Sequence, residues 1–273
     1  MKYAELLEAV REIAREAGKA ILEVYEGGEA LDVRTKEDDS PVTRADMAAH
    51  EVIVERLSRL TPDIPVLSEE SAGIGTGERQ QWSRFWLVDP LDGTKEFLNR
   101  NGEFTVNIAL VEEHRPVLGV VHVPLSGTCY LASPDTGALC EEGGERRAIR
   151  VREVHRPVVM VASRRHATET LDALEQRITE TLGPVERTSM GSSLKICLVA
   201  EGRADLYPRL GPTSEWDTAA AHAVVRAAGG HLVNTEFREL EYNRRDTLLN
   251  PHFLVLGQPP AFWDFLRPAL AEH

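Results

Sequence analysis

The chain has little cysteine, no long apolar run and no excess of positive charge. Its 273 residues include only three cysteines, none of them in a C-x-x-C pair, which argues against a disulfide-stapled scaffold or a zinc ribbon. No stretch of about 18 consecutive apolar residues occurs, so no membrane-spanning helix is expected. Lys and Arg number 31 against 44 Asp and Glu, a net charge of −13, which disfavours nucleic acid as a partner. These features predict a cytoplasmic protein, with peripheral contact at the inner membrane as an alternative.

Several common catalytic motifs are missing as well. There is no G-x-x-x-x-G-K-[ST] string for a P-loop, no G-x-S-x-G nucleophile elbow and no H-E-x-x-H pair for zinc. The glycine-rich stretch 73–77 lacks the G-x-G-x-x-G spacing of a dinucleotide site. A small anionic substrate stays compatible with the acidic chain, provided that local cations or metal ions hold it.

The composition is that of an ordinary globular protein. Apolar residues make up 42% and charged residues 27% of the chain, and a chain of this size buries about 70–75% of its unfolded surface. Residues 1–26 place apolar side chains at helical spacing, interrupted by Glu and Arg. We therefore expect an amphipathic helix there, ending at Gly27-Gly28, rather than a targeting segment.

The order of predicted elements changes near residue 155. The first part, 1–154, predicts helices packed on an antiparallel sheet (an α+β lobe carrying most candidate ligands), and 155–273 predicts an α/β lobe with a partly parallel sheet. The overall class is α/β. The predicted helices span 1–26, 43–60, 171–182, 194–200 and 218–228, and the predicted strands lie near 66, 85–88, 104–110, 117–123, 129–132, 158–162, 204–207 and 254–256.

One segment combines paired acids with the end of a strand. Asp89 and Asp92 follow a hydrophobic run, and the intervening Pro90 stiffens the backbone between them. The two carboxylates and the Leu91 carbonyl are oxygen ligands of the kind that Mg²⁺ prefers. A helix opening at Gly93 would direct amide groups at a phosphate. The alternative is a plain Asp-Gly turn in which Asp92 caps a helix, and for this short string alone the alternative is favoured.

Other acids also lie at predicted element ends. Glu69 and Glu70 follow a short β run, and Asp217 opens an Ala-rich helix. Thr43-x-x-Asp46 fits a capping box. Each has an ordinary explanation as a polar loop or a helix cap. Taken together, these acids at element termini favour a metal site built on rigid elements.

These motifs, taken together, resemble the inositol monophosphatase superfamily of Mg²⁺-dependent, lithium-sensitive phosphatases. The resemblance covers nearly the whole chain and is greatest to its bacterial 3′(2′),5′-bisphosphate nucleotidase branch. It implies a layered αβαβα sandwich. The strings that carry it are Trp86–Phe97, Asn101–Leu110, Gly191–Lys195, Leu206–Arg209, Trp216–Ala220 and Leu249–Pro251, with Glu69-Glu70 upstream.

The resemblance also implies roles for individual residues. The implied ligands of two or three Mg²⁺ ions are Glu69, Asp89, the Leu91 carbonyl, Asp92 and Asp217. The implied catalytic residues are Asp46 and Thr94, which orient the attacking water, and the supporting acid Glu70. The implied substrate contacts are Glu69, Leu91, Asp92, Gly93, Thr94 and Asp217, with the Gly93 and Thr94 amides on the scissile phosphate.

Substrate choice depends on Arg209. Aligned on Gly211, inositol monophosphatases place a Glu for inositol hydroxyls where this chain has Arg209, and a cation suits a second phosphate better than a polyol. We therefore add Lys195 and Arg209 as substrate-binding candidates, the alternative being that Arg209 only solvates a loop. A departure is Ala221, where the family has Gly, and it bears on helix packing more than on ligand geometry.

The expected function is hydrolysis of the 3′-phosphate of adenosine 3′,5′-bisphosphate to AMP and phosphate, which removes a by-product of sulfate assimilation. The alternatives are an inositol or sugar monophosphatase on the same metal site and, more remotely, a non-catalytic metal-dependent binding protein. The expected partner is a small phosphorylated molecule, and the expected state is a monomer or homodimer.

Overall fold

The computed structural model describes residues 2–27, 34–35, 41–71, 74–162 and 169–271, with the backbone alone for 34–35 and 41–42. The helices are α1 (Tyr3–Glu26), α2 (Arg44–Leu60), α3 (Thr76–Arg79), α4 (Thr94–Leu98), α5 (Glu169–Leu182), α6 (Leu194–Ala200), α7 (Glu215–Ala227), a 3₁₀ helix (Pro260–Leu266) and α8 (Arg267–Leu270). The strands are β1 (Arg34–Thr35), β2 (Pro41–Val42), β3 (Val66–Ser68), β4 (Arg84–Asp92), β5 (Thr105–Glu112), β6 (Arg115–His122), β7 (Cys129–Ser133), β8 (Gly137–Glu142), β9 (Glu145–Ala148), β10 (Val158–Val161), β11 (Val185–Thr188), β12 (Leu206–Arg209), β13 (His231–Asn234) and β14 (Phe253–Leu256).

The first large sheet has seven strands in simple sequence order, from β3 to β9. β3 pairs with β4 in parallel, and every later neighbour is antiparallel. The strands from β5 to β9 are joined by short loops, whereas α4 lies between β4 and β5. Because β3 and β4 run in the same direction, the chain after β3 and the end of β4 leave the sheet at the same edge. This edge carries the candidate acids Glu69, Glu70, Asp89 and Asp92.

The second sheet has five strands in the order β11-β10-β12-β14-β13. β10 pairs in parallel with both β11 and β12, whereas β14 pairs antiparallel with β12 and β13. The crossover helices α5 and α6 make the parallel pairs possible, since parallel neighbours need a long connection. Residue 155 therefore lies between the last strand of one sheet and the first strand of the other.

Three buried apolar clusters separate the layers. One cluster joins α1 and α2 to the seven-stranded sheet, a second fills the space between the two sheets around α6 and α7, and the third packs α5 and the C-terminal helices on the outer face of the five-stranded sheet. Helices and sheets thus alternate as α, β, α, β, α, and the predicted layered sandwich is confirmed. At Gly119 on β6 a Cβ would collide with the Ala220 carbonyl of α7, so this helix lies directly against the sheet.

Some predicted boundaries differ from the structure for local reasons. The predicted strand 85–88 continues to Asp92, so both acids belong to β4 rather than to a turn after it. The Ala-rich helix begins at Glu215, three residues before the predicted start, because Ser214 acts as its N-cap. Of the predicted end of α1, Gly27 is its C-cap and Gly28 lies outside the described residues. Within the described residues, no helix is both long and apolar enough to cross a membrane.

Candidate metal and phosphate site

A β-bulge brings Asp89 and Asp92 together. In a regular strand, side chains three positions apart point to opposite faces. Here Asp89 pairs with Asn107 and Asp92 with Thr105 of β5, so β4 takes three steps where β5 takes two. The extra residue returns both carboxylates to one face of the sheet, and the Leu91 N–H donates to Asp89 Oδ1 at 3.0 Å to hold the bulge.

Asp217 completes a group of three carboxylates. It lies in the first turn of α7, and its carboxylate oxygen lies within 4.8 Å of those of Asp89 and Asp92. Burial raises the pKa of the Asp89 carboxyl, and so do the negative charges of Glu69, Asp92 and Asp217. Burial also raises the pKa of Asp217, followed by the charge of Asp92. Because like charges held this close repel each other, the group is arranged for a cation.

Glu69 and Glu70 face different parts of the site. The Glu69 side chain is hydrogen-bonded to Asp89, so it joins the carboxylate group from β3. The Glu70 charge acts on Asp46 and on His50 of α2, and the Glu69 charge also acts on Asp46. The structure therefore brings Glu69 to the predicted ligands and leaves Glu70 beside the predicted catalytic pair.

Asp92 is oriented by partners that the motif did not identify. The Ser193 N–H donates to Asp92 Oδ2 at 2.5 Å, and Asn107 Nδ2 lies 3.4 Å from the same oxygen. The Thr105 hydroxyl contacts both Asp92 and the Ser193 hydroxyl. Thr105 and Asn107 are fully buried polar residues in an otherwise apolar strand, and that interruption is the feature of the sequence that could have revealed them.

Asp46 and Thr94 meet across two helix starts. Thr43 donates its N–H and its hydroxyl to Asp46 Oδ2 at 2.7 and 2.6 Å, which confirms the capping box. The other oxygen, Oδ1, lies 3.5 Å from the Thr94 hydroxyl. Burial raises the pKa of Asp46 to about 6, against the lowering effect of the Thr43 hydrogen bonds. A carboxylate with that pKa can accept a proton near neutral pH.

Gly93 provides the sharp turn between β4 and α4. Its φ of +92° lies in the left-handed region, where glycine alone is unstrained. A Cβ at this position would also press on the Glu103 carbonyl at 3.3 Å. The turn carries the chain directly from the last ligand candidate, Asp92, to the Thr94 hydroxyl.

A cavity of about 220 Å³ opens beside the carboxylates. Asp92 and Asp217 line the cavity together with Lys195 and Arg209. The aromatic side chains of Tyr207 and Phe253 also line it. Burial lowers the pKa of Lys195, partly offset by the charge of Asp92. One Arg209 nitrogen donates to the Pro212 carbonyl at 3.0 Å, whereas its Nε is buried and has no hydrogen-bond partner among the described residues. The cavity is therefore lined by both acidic and cationic side chains.

The donor set fits a hard divalent cation. Asp89, Asp92 and Asp217 offer carboxylate oxygens to one point, and Glu69 adjoins them. Burial raises the pKa of each of the three aspartates, and neighbouring carboxylates raise it further. A bound cation would relieve this repulsion. Among the described residues this is the group of acids, histidines and cysteines that meets the spacing for a metal ion, and all-oxygen ligands favour Mg²⁺ over zinc.

Comparisons with known proteins agree with this geometry. A model described as "Inositol monophosphatase family" matches residues 2–258. The "3′(2′),5′-bisphosphate nucleotidase CysQ" of Salmonella typhimurium is 54% identical over 92% of this chain and 99% of its own length. The crystal structure of CysQ from Bacteroides thetaiotaomicron has a TM-score of 0.82 at 41% identity, over 93% and 98% of the two chains. An inositol monophosphatase from Anabaena has a TM-score of 0.73 at 25% identity, over 98% and 96%. The chain belongs to the inositol monophosphatase family.

Proposed function

We propose that this chain is a Mg²⁺-dependent phosphomonoesterase that hydrolyses the 3′-phosphate of adenosine 3′,5′-bisphosphate to AMP and inorganic phosphate. The observation that carries the proposal is a cavity lined both by the carboxylates of Asp92 and Asp217 and by two cations, Lys195 and Arg209. The 54% identity to a nucleotidase of that specificity supports it. Its place of action is the cytoplasm, in keeping with three cysteines that are buried and free.

Glu69, Asp89, the Leu91 carbonyl, Asp92 and Asp217 hold two or three Mg²⁺ ions in this proposal. When bound, these ions stabilise the charge that develops on the transferred phosphoryl group and favour ionised water. The amides of Gly93 and Thr94 hold the scissile phosphate at the turn between β4 and α4, where the backbone donors are not used inside the sheet.

The chain's own residues position the water and accept its proton. The Thr94 hydroxyl is poised between the water and Asp46 Oδ1, 3.5 Å away, and Glu70 keeps a negative charge near Asp46. The water oxygen bonds to phosphorus while the bond from phosphorus to the ribose 3′-oxygen breaks. The proton of the attacking water passes to Asp46, and the ribose 3′-oxygen takes up a proton from bulk solvent, so the products are AMP and phosphate.

Lys195 and Arg209 receive the 5′-phosphate of the substrate. Arg209 Nε has no hydrogen-bond partner among the described residues, and the buried Lys195 ammonium donates to the Met190 carbonyl at 3.2 Å. Both cations can also donate to a phosphate that enters the cavity. The charge of Asp92 acts on Lys195 and that of Arg209 on Asp217, and a 5′-phosphate would give these cations a further anionic partner that a neutral inositol ring does not offer. We therefore favour a bisphosphate over an inositol or sugar monophosphate, and the Thr94–Asp46 contact favours an enzyme over a binding protein.

A phosphate-release panel tests the substrate. Purified protein with Mg²⁺ is given adenosine 3′,5′-bisphosphate, inositol 1-phosphate and fructose 1,6-bisphosphate at equal concentration. The proposal expects the highest kcat/KM for the nucleotide, and no release when a chelator removes the metal. A higher kcat/KM for inositol 1-phosphate would replace the substrate assignment, and undiminished turnover in chelator would contradict the metal.

The substitution Arg209→Ala tests the phosphate contact. A lost charge-assisted hydrogen bond costs about 1.5–3 kcal/mol, or roughly 10- to 150-fold in kcat/KM. That loss is expected for adenosine 3′,5′-bisphosphate and not for the monophosphate adenosine 3′-phosphate, which lacks the second anion. Arg203→Ala is the matched control, because Arg203 is 65% exposed and pairs with Glu201. Equal losses on both substrates would make Arg209 a structural residue.

A further inference from the structure

A buried polar network lies directly behind Asp217, away from the substrate cavity. Its three members are Arg79 at the end of α3, Asn243 in the loop after β13, and Glu215 at the start of α7. They are 3%, 1% and 0% exposed. None of these residues lines the cavity beside the carboxylates, so the network has no direct contact with the proposed substrate.

Short hydrogen bonds join the three residues. Arg79 Nη1 donates to Asn243 Oδ1 at 2.6 Å, and Asn243 Nδ2 donates back to the Arg79 carbonyl at 2.5 Å. The Asn243 N–H donates to Glu215 Oε2 at 2.6 Å, while Arg245 reaches Glu215 Oε1 at 3.4 Å. Asn243 has a φ of +57°, so its backbone is bent to aim the N–H at the carboxylate.

The same loop also holds the backbone at the start of α7. The Glu215 N–H donates to the Leu248 carbonyl at 2.8 Å, and Asn250 Nδ2 donates to the Ser214 carbonyl at 2.7 Å. Asp217 lies two residues after Glu215 in the first turn of α7, and its Oδ2 accepts a hydrogen bond from the Ser214 N–H at 2.9 Å. The position of Asp217 is thus set by a turn that is fixed at both the side chain and the main chain of Glu215.

Asp217 needs such support because its neighbours repel it. Its carboxylate lies within 4.8 Å of those of Asp89 and Asp92, and without a cation that repulsion favours movement of the helix start away from the sheet. The Asn243 N–H and the Arg245 guanidinium contact the two oxygens of the Glu215 carboxylate, so the network resists this movement through direct contacts at the start of α7.

We propose that the Arg79–Asn243–Glu215 network positions Asp217 for metal binding, so that Mg²⁺ affinity depends on residues that touch neither the metal nor the substrate. This proposal rests on the metal site of the proposed function. If the network is weakened, part of the Mg²⁺ binding energy is used to bring Asp217 into position, so the Mg²⁺ affinity falls. The geometry of the site with Mg²⁺ bound stays the same.

The test measures Mg²⁺ binding without substrate. Titration calorimetry on the metal-free protein gives the Mg²⁺ Kd. The electron paramagnetic resonance signal of free Mn²⁺ gives the Kd for Mn²⁺, a second divalent probe of the same site. Substituting groups that support metal ligands typically weakens metal binding about 10- to 100-fold. We expect a loss in that range for Glu215→Ala and a smaller one for Glu215→Gln, which keeps an acceptor for the Asn243 N–H. At saturating Mg²⁺, kcat should stay within about 3-fold of the unsubstituted protein, since the loaded site is intact.

Two further variants keep the proposal falsifiable. Asn243→Gly suits the positive φ and removes only the side-chain bonds to Arg79, so it serves if Glu215→Ala does not fold. Glu241→Ala is the control, because this half-exposed carboxylate on the same loop pairs with Arg244. An unchanged Kd in both Glu215→Gln and Asn243→Gly, with only a lower melting temperature, would overturn the proposal. A protein that shows the affinity losses but does not hydrolyse the bisphosphate contradicts the proposed function alone.

Discussion

Two helix starts in this molecule are built in the same way and put to different uses. At α2 and at α7 an Asp stands at the third helical position, and its side chain accepts from the backbone N–H of the N-cap residue, Thr43 or Ser214. In both boxes Oδ2 accepts that hydrogen bond, at 2.7 Å for Asp46 and 2.9 Å for Asp217. The second oxygen of each carboxylate is left to face the site.

The two boxes differ in what surrounds them. Asp46 also accepts the Thr43 hydroxyl, a hydrogen bond that favours the ionised carboxylate, and its pKa is raised to about 6 by burial. Burial and the nearby charges of Asp92 and Glu69 raise the pKa of Asp217 well above its usual value, against the Ser214 N–H and Arg209. One carboxylate is therefore suited to exchange a proton near neutral pH, and the other to receive a cation.

The comparison shows that capping and chemistry are not competing explanations. A carboxylate has two oxygens, and in each box the helix uses one of them. The cap restricts the rotation of the side chain, and this helps to direct the other oxygen. At both positions, the same Asp can therefore cap its helix and take part in the site.

The largest expected effect separates the two boxes most clearly. Asp217→Asn keeps the cap but removes a charge from the carboxylate group, so we expect kcat/KM to fall at least about 10³-fold with a matching loss of Mg²⁺ binding. Steady-state kinetics over a range of Mg²⁺ concentrations, together with calorimetry, measures both. If Asp217→Asn kept the activity of the unsubstituted protein at the same Mg²⁺ concentration, Asp217 would not be a metal ligand.

Asp46→Asn should lower the rate without weakening the binding of substrate or Mg²⁺. Asn retains the size and an acceptor for the Thr43 N–H but cannot take up a proton, so kcat should fall by about 10²-fold while KM and the Mg²⁺ Kd change little. Thr94→Ala and the double variant complete the comparison. If the two residues act as one unit, the double variant is little worse than either single one. Losses that multiply would show separate roles.

The carboxylates were predictable from the sequence, but several of their supports were not. Asp89 and Asp92 stand out as two acids after an apolar run, and Thr43-x-x-Asp46 is a local pattern. The bulge that returns the first pair to one face depends on the pairing with β5, which no local pattern encodes. The N–H that holds Asp92 comes from Ser193, 101 residues away. Contacts of this kind are set by the packing of layers, and a single sequence does not specify which buried polar groups will meet.

At pH 8, Asp46→Asn should stabilise the metal-free protein, although the same substitution lowers the activity of the protein with Mg²⁺ bound. The pKa of Asp46 rises from 3.8 to about 6 on folding, so the ionised group destabilises the fold by about 3 kcal/mol above pH 6, and this cost disappears as the pH falls toward 4. Asp46→Asn removes that cost and loses about 1 kcal/mol of capping. In chelator we expect a net gain of about 2 kcal/mol at pH 8 and a small loss at pH 4.

Urea unfolding at the two pH values measures this difference directly. Comparing the variant with the unsubstituted protein cancels the titration of other groups, such as His122, whose pKa burial lowers to about 4. A gain that is the same at both pH values would show that Asp46 does not change its protonation on folding, and a loss at both would leave it with a capping role alone.

The smallest expected effect distinguishes the hydroxyl groups of the two N-caps. Thr43→Ala removes a donor to Asp46 Oδ2, and Ser214→Ala leaves the N–H that serves Asp217 in place. Each should cost about 1 kcal/mol of stability as a lost cap. Only Thr43→Ala should also raise the pKa of Asp46, because a hydrogen bond that favours the ionised form is gone. The acidic limb of its kcat against pH should therefore shift to higher pH, while that of Ser214→Ala stays in place. If the acidic limbs of Thr43→Ala and Ser214→Ala shifted by the same amount, the pH profile would report the titration of the metal ligands rather than that of Asp46.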